Sequence, residues 1–322
     1  MGNQRIPPNP TRRRSGNFGG ASSSHRLAVV GLDYLVSAQA ANGAFGYPYE
    51  PNGPGLRQQA AQQVARGEKQ GLKMVERGWV IDDLGTGGLN FDNGVCGAVL
   101  LQGYVLTGDR RYLDSTVRAG QWVKSRPLAL SFNYNGFSGL LLARLYRVTG
   151  DGAWLDAAKD IFEFGVLSGQ MPNGRWFDQH NAKIQYHAIL CSQVTEYLLA
   201  LRQAKDASAA RVEKQLRRAL DNLATEHTTY GTNNAPESLA LSALCFGGMV
   251  VAPEPSWIKA TNVAVNYVTG PFLAIAPQRG GALPETVATW LLQQAAQDRH
   301  SAPAEVRGTM LIPAKTAPKP TP

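Results

Sequence analysis

Leu27, Val30, Leu32 and Leu35 recur at three- to four-residue spacing, the mark of a helix with one buried face. The same period continues along the chain. It predicts helices near 56–70, 95–107, 110–125, 135–149, 152–168, 182–204, 207–226, 235–248, 256–268 and 285–298. The breaks between them are chemically distinct. NGAFGYPYEPNGPG (42–55) and WVIDDLGTGGLNFDNG (79–94) are dense in Gly, Pro, Asn and Asp, and both read as loops.

Two of the helical pairs repeat each other. GVCGAVLLQGYVLTGDRRYLDSTVRAGQWV (94–123) aligns with NGFSGLLLARLYRVTGDGAWLDAAKDIFEF (135–164), each with a Gly-rich helix start, then Thr-Gly-Asp, then an aromatic-Leu-Asp. Gly108 and Gly150 end one helix, and Asp109 and Asp151 cap the next. The unit is a helical hairpin of about 40 residues, a usual length for paired-helix repeats. Hairpins at 182–226 and 235–268 have that length without the Thr-Gly-Asp triplet.

Five to six such hairpins fit between residues 25 and 298. An open solenoid and a closed ring both accommodate them. Gly- and aromatic-rich loops at the hairpin starts (42–49, 79–94, 131–136, 171–181, 230–237) favour the ring. The expectation is therefore an all-α fold, an (α/α) toroid or incomplete barrel, with the inner-helix starts converging on a cleft. It would occupy 25–300, between a Pro-, Arg- and Gly-rich arm at 1–24 and a Pro-rich tail at 301–322.

Composition narrows the class. Of the 322 residues 43% are hydrophobic and 17% charged, enough for a large core. Lys and Arg exceed Asp and Glu by 32 to 24, a net charge of +8 that favours an anionic partner. Part of the excess sits in the tails (Arg12, Arg13, Arg14, Lys315, Lys319). Cys96, Cys191 and Cys245 lie in apolar helical runs without CxxC spacing, which predicts buried free thiols. MGNQRIPPNPTRRR has no apolar signal-peptide core, and no apolar run reaches membrane-spanning length. A soluble protein is expected, cytoplasmic unless another route exports it. Neither GxGxxG nor GxxxxGK[ST] occurs, so no organic cofactor is expected. The anionic partner is expected to be an acidic polysaccharide and not a nucleic acid.

Candidate chemistry gathers at two helix starts, Asn133-Tyr134-Asn135 and Arg175 to His187. A tyrosine such as Tyr186 can move protons when nearby cations lower its pKa, and Arg175, Lys183 and His187 are the cations at hand. An Asn amide can bond a substrate carboxyl group and favour the enolate-like charge of proton abstraction. Trp79 and Trp176 are loop aromatics able to stack on sugars, whereas Trp122 and Trp154 fit outer-helix packing. Each residue also has a plainer reading: Asn as a helix cap, Tyr and His as packed core.

SFNYNGF, TGDGAWLDAAKDIF and MPNGRWFDQHNAKIQYHAILCSQVTEYLLAL together resemble the central part of the helical-toroid alginate lyases and related uronate-polymer lyases. The likeness covers about 70 residues and implies an (α/α) toroid that cleaves an acidic polysaccharide by β-elimination. It implies Tyr186 as the proton-transferring residue with His187 beside it, and Asn133 or Asn135 as the group that neutralises the carboxylate. Arg175, Lys183, Trp176, Tyr134, His180 and Trp79 would bind substrate. Where the family carries Asn-His at the helix start, this chain has Asn133-Tyr134-Asn135.

Other readings fit the same scaffold. An inverting glycoside hydrolase needs an acid and a base carboxyl group, and Asp82, Asp83, Asp92 and Asp178, with Glu237, supply candidates. Asp178, His180 and His187 are metal-ligand types, but without a fourth ligand no metal is expected. A non-catalytic helical-repeat module, binding a glycan or a protein along a concave face, is the third reading.

Overall fold

A computed structural model describes residues 23–178, 183–230 and 237–262. The arm at 1–22, the tail, the helix expected at 285–298 and His180 lie outside the described residues, as does the Glu237 side chain.

Helix α1 (Ser23–Ala38) leads into a segment with short strands β1 (Tyr47–Pro48), β2 (Val75–Glu76) and β3 (Trp79–Val80), and helix α2 (Leu56–Lys69). The strands form an antiparallel sheet in the order β1-β3-β2, with Tyr47 opposite Val80 and Glu76 opposite Trp79. Val64 of α2, Met74 and Val80 make a small core beneath it. Strands of two residues leave no two-residue period for a sequence to display.

Next come α3 (Gly88–Thr107), α4 (Arg110–Lys124), α5 (Phe132–Thr149), α6 (Gly152–Gly165), α7 (Ile184–Ala204), α8 (Ala209–Tyr230) and α9 (Glu237–Val251), with further helix at 255–262. α3/α4, α5/α6 and α7/α8 are antiparallel hairpins. α3, α5, α7 and α9 pack side by side as an inner row, and α4, α6 and α8 back them from outside. This is the expected all-α toroid of helical hairpins. The inner α7 is buried around most of its circumference, while outer α4 buries one face through Tyr112, Leu113, Thr116, Ala119, Trp122 and Val123. Trp122 and Trp154 are buried on the outer helices, and Cys191 and Cys245 are buried free thiols. Cys96 is half-buried.

The Thr-Gly-Asp triplet has a mechanical explanation. Gly108 and Gly150 both adopt φ 73°, and their N–H groups bond Tyr104 O and Tyr146 O. The Thr107 and Thr149 hydroxyls accept from Asp109 N–H and Asp151 N–H at 3.2 and 3.3 Å. Asp109 and Asp151 then accept from Arg111 N–H and Ala153 N–H at 2.9 and 3.0 Å, starting the outer helices. At the third hairpin Lys205 takes the left-handed position (φ 57°), and Asp206 accepts from Ser208 N–H at 2.8 Å. The turn is the same with a different residue at its apex.

One boundary moves. The stretch 79–94, read as a loop, already contains helix from Gly88. The Asp83 carboxylate accepts from Gly87 N–H and Leu89 N–H at 3.0 Å and from Gly85 N–H at 3.1 Å, covering the bare start of α3 from outside the helix.

Candidate active site

Three inner-helix starts meet at one end of the row: Gly88–Asn93 on α3, Phe132–Phe137 on α5 and Ile184–His187 on α7. Much of the polar chemistry there holds the backbone in place. Arg126 grips Asp82 through two bonds of 2.8 and 2.9 Å and reaches Asp83 at 3.4 Å, with its guanidinium 4.9 Å from the Trp122 ring. Asp178 accepts from Phe132 N–H at 3.0 Å and so caps α5. Asn135 is buried, and its amide oxygen and both amide hydrogens are engaged. It accepts from Ala129 N–H at 2.8 Å and donates to Ala129 O and Gly165 O at 2.9 Å each.

The remaining groups are neighbours. Tyr134 on α5 is half-buried, and its pKa is raised by burial and then by the neighbouring Tyr186, Asp92 and Asp83. Those neighbours bring α3, α5 and α7 to one place. Asp92, in the second turn of α3, is pushed up to about 6 by burial and then by the Asp83 charge. Tyr47, from β1, is raised by burial, Asp83 and Asp92, so the small sheet forms another wall. Phe91 is 40% exposed, stands edge-on to Phe137 at 4.8 Å and lies 6.5 Å from Tyr134. Lys183 is exposed at the N-cap of α7, and its carbonyl accepts from Tyr186 N–H at 3.1 Å.

Several residues expected to serve substrate lie elsewhere. Trp176 is fully buried, with its indole N–H donating to Val166 O at 2.9 Å, so it is a core residue and not a sugar platform. Arg175 is buried in an ion pair with Glu226 of α8, which removes it from the role of carboxylate clamp. His187 is buried, and its Nε2 faces Ala219 O at 3.0 Å. Burial and then Arg175 hold its pKa down to about 3, so it is neutral and cannot be the cation that activates Tyr186. Trp79 is half-buried in β3, beside a small pocket lined by Gln39, Gly46, Arg77 and Ile81. Asp178 and His187 are each engaged separately, and the described residues hold no group of three metal-type side chains.

The sequence matches no family model and no curated protein. One solved structure is similar. It is titled a polysaccharide lyase, with a TM-score of 0.50 and 14% identity over 74% of this chain. The match covers 34% of that chain, so this protein spans about a third of its length. Similarity at that identity is a likeness of fold, and it agrees with the toroid of hairpins. Tyr47, Phe91 and Phe137 were not singled out from the sequence. Phe91-Asp92 at the opening of an inner helix was the available signal, hidden while 79–94 read as a loop.

Proposed function

We propose that the protein is a polysaccharide lyase that cleaves an acidic, uronate-containing polymer by β-elimination. The observation that carries this reading is the meeting of Tyr134, Tyr186 and Asp92 from three inner helices beside an exposed aromatic edge. Tyr186, as the phenolate, takes the proton α to the uronate carboxyl group and becomes the neutral phenol. The carboxylate is held from the start of α7, where exposed Lys183 adds its charge to the helix N-terminus. Phe91 and Tyr134 give the sugar an apolar face to lie on.

Hydrolysis on the same scaffold is the second reading, favoured by one observation. Of the four aspartates that suit it, Asp82, Asp83 and Asp178 hold backbone or arginine, while burial and the Asp83 charge raise the pKa of Asp92. The deciding experiment follows absorbance near ~235 nm together with reducing ends on polymannuronate, polygalacturonate and hyaluronan, since only elimination makes a conjugated double bond. Tyr186→Phe is expected to lower the absorbance rate at least ~100-fold without changing the melting temperature. New reducing ends without absorbance would refute elimination.

A further inference from the structure

We infer that a second copy of this chain docks on the open edge of the inner row, across the side of α1 and α3 that carries Leu27, Tyr34, Val99 and Leu106. The inference is independent of the chemistry read into the cleft.

The edge follows from the order of the helices. α5 packs between α3 and α7, and α7 between α5 and α9, but among the described residues α3 has an inner neighbour on one side only. Gly94 and Gly97 turn that side towards Phe137 and Leu141 of α5. Gly103, further along α3, makes room for Leu32 of α1. α1 runs antiparallel to α3. Its Asp33 accepts from Tyr112 O–H at 3.0 Å, just past the end of α3, whereas Phe45, after α1, donates its N–H to Asn93 near the start of α3 at 2.9 Å. Val99 and Leu106, two turns apart, share a face of α3, as Leu27, Gly31 and Tyr34 share a face of α1. With the pair antiparallel and in contact through Leu32 and Gly103, a rotation of about 100° per residue puts both stripes on one side, away from α4 and α5.

That side is apolar and open. Leu27, Val30, Tyr34 and Leu106 are each more than half exposed, and Val99 nearly so. Gly31, between Leu27 and Tyr34, has open space where a Cβ would stand, so a second helix can approach the backbone closely. α3 carries no charge after Asp92, and the only charge on α1 after Arg26 is Asp33, which is turned to Tyr112 and Arg111 of α4. A face without charge has nothing with which to hold a polyanion or an acidic membrane. An identical apolar face is its own complement, which is what a two-fold pairing of like surfaces requires. The exposed side chains amount to on the order of 500 Å² per chain, at the upper end of what a soluble monomer leaves open. Two copies together would bury on the order of 1,000 Å², where specific interfaces begin.

The test is sedimentation of the full chain from about 1 to 100 μM. Wild type should move towards twice 34.7 kDa as concentration rises. Tyr34→Lys and Leu106→Lys should each raise the dimer Kd at least ~30-fold with the melting temperature nearly unchanged, because both side chains face solvent in the monomer. Phe164→Lys, which replaces an equally exposed aromatic on α6, should leave pairing as it is. A maleimide should label Val30→Cys readily at low concentration and slowly at high concentration. Should a lysine variant fail to fold, that labelling decides alone. A wild type of 34.7 kDa throughout, with Val30→Cys labelled freely, would overturn the inference. Val30→Cys protected equally at every concentration would mean that another part of the same chain covers the face, which also overturns it. So would a dimer that survives both Tyr34→Lys and Leu106→Lys, or a monomer that floats with phosphatidylcholine vesicles through this face.

Discussion

Asn135 and Asn133 sit two positions apart on α5, and both were candidates for holding the substrate carboxylate. Both are buried, and the contacts of Asn135 show what that side chain does. The Asn135 amide ties the loop before α5, at Ala129, to the end of α6, at Gly165, through three bonds of 2.8 to 2.9 Å. Replacing Asn135 with Ala removes all three and leaves one backbone N–H and two carbonyl oxygens without their bonds. A buried neutral group left unsatisfied costs about 1–3 kcal/mol, and partial relaxation or water entry reduces the sum, so the expected loss is about 3–5 kcal/mol. For a chain of this size that lowers the melting temperature by about 10 °C.

Calorimetry of the Asn135→Ala variant measures this directly. Activity per folded molecule should stay within about tenfold of wild type, because both amide hydrogens, the donors a substrate carboxylate would need, are already used. Asn135→Asp should be worse for stability, since it turns the carboxylate against two carbonyl oxygens. A variant that melts within about 2 °C of wild type but loses more than about 100-fold in kcat would refute the reasoning. Asn135 would then belong with the groups that touch substrate.

Two further predictions concern the scaffold. Glu196 on α7 is buried between Arg144 (2.6 Å) and Arg147 (2.7 Å) of α5, so Glu196→Ala leaves two guanidinium groups facing each other and should cost about 3–5 kcal/mol in chemical denaturation; a loss below about 1 kcal/mol would show that solvent already screens the pair. The folded-state pKa of His187 is depressed to about 3, so its contribution to stability is complete above the unfolded value and is lost as pH falls, because only the unfolded chain then takes up the proton. With an unfolded pKa of about 6.5, that loss reaches about 2 kcal/mol by pH 5. Unfolding measured at pH 7 and pH 5 should show this loss in wild type and not in His187→Gln, whose amide can still donate to Ala219 O; equal pH dependence in the two would count against it.

The repeat was legible because Gly and Asp are the cheapest residues for its turn. Gly takes the left-handed position without a Cβ clash, and Asp caps the next helix. The third hairpin hid the same turn behind Lys205, whose strain the surrounding contacts absorb, and a residue pattern cannot record a conformation held from outside. The opening turns of α3 were lost for a related reason. Their cap, Asp83, lies outside the helix and acts through space, and Gly88, Asn90, Asp92, Asn93 and Gly94 in those turns have poor intrinsic helix propensity.

At the site, residue types were legible and directions were not. Tyr186 and His187 are adjacent on α7, and adjacent helical residues stand about 100° apart, so they cannot share one face. One can enter the cleft beside Tyr134, and the other must turn towards a neighbouring helix; His187 lies against Ala219 of α8. The same holds for Phe91 and Asp92, which divide the opening of α3 between an exposed ring and a half-buried acid. Arg175 and Trp176 precede α7 in a turn, where no helical period constrains direction, and burial against α8 and Val166 decided it. The cluster that remains draws Phe91 and Asp92 from α3, Tyr134 from α5 and Tyr186 from α7, with Tyr47 added by the sheet. That is the selection a ring of hairpins imposes: each helix can offer the cleft only the face its neighbours leave open.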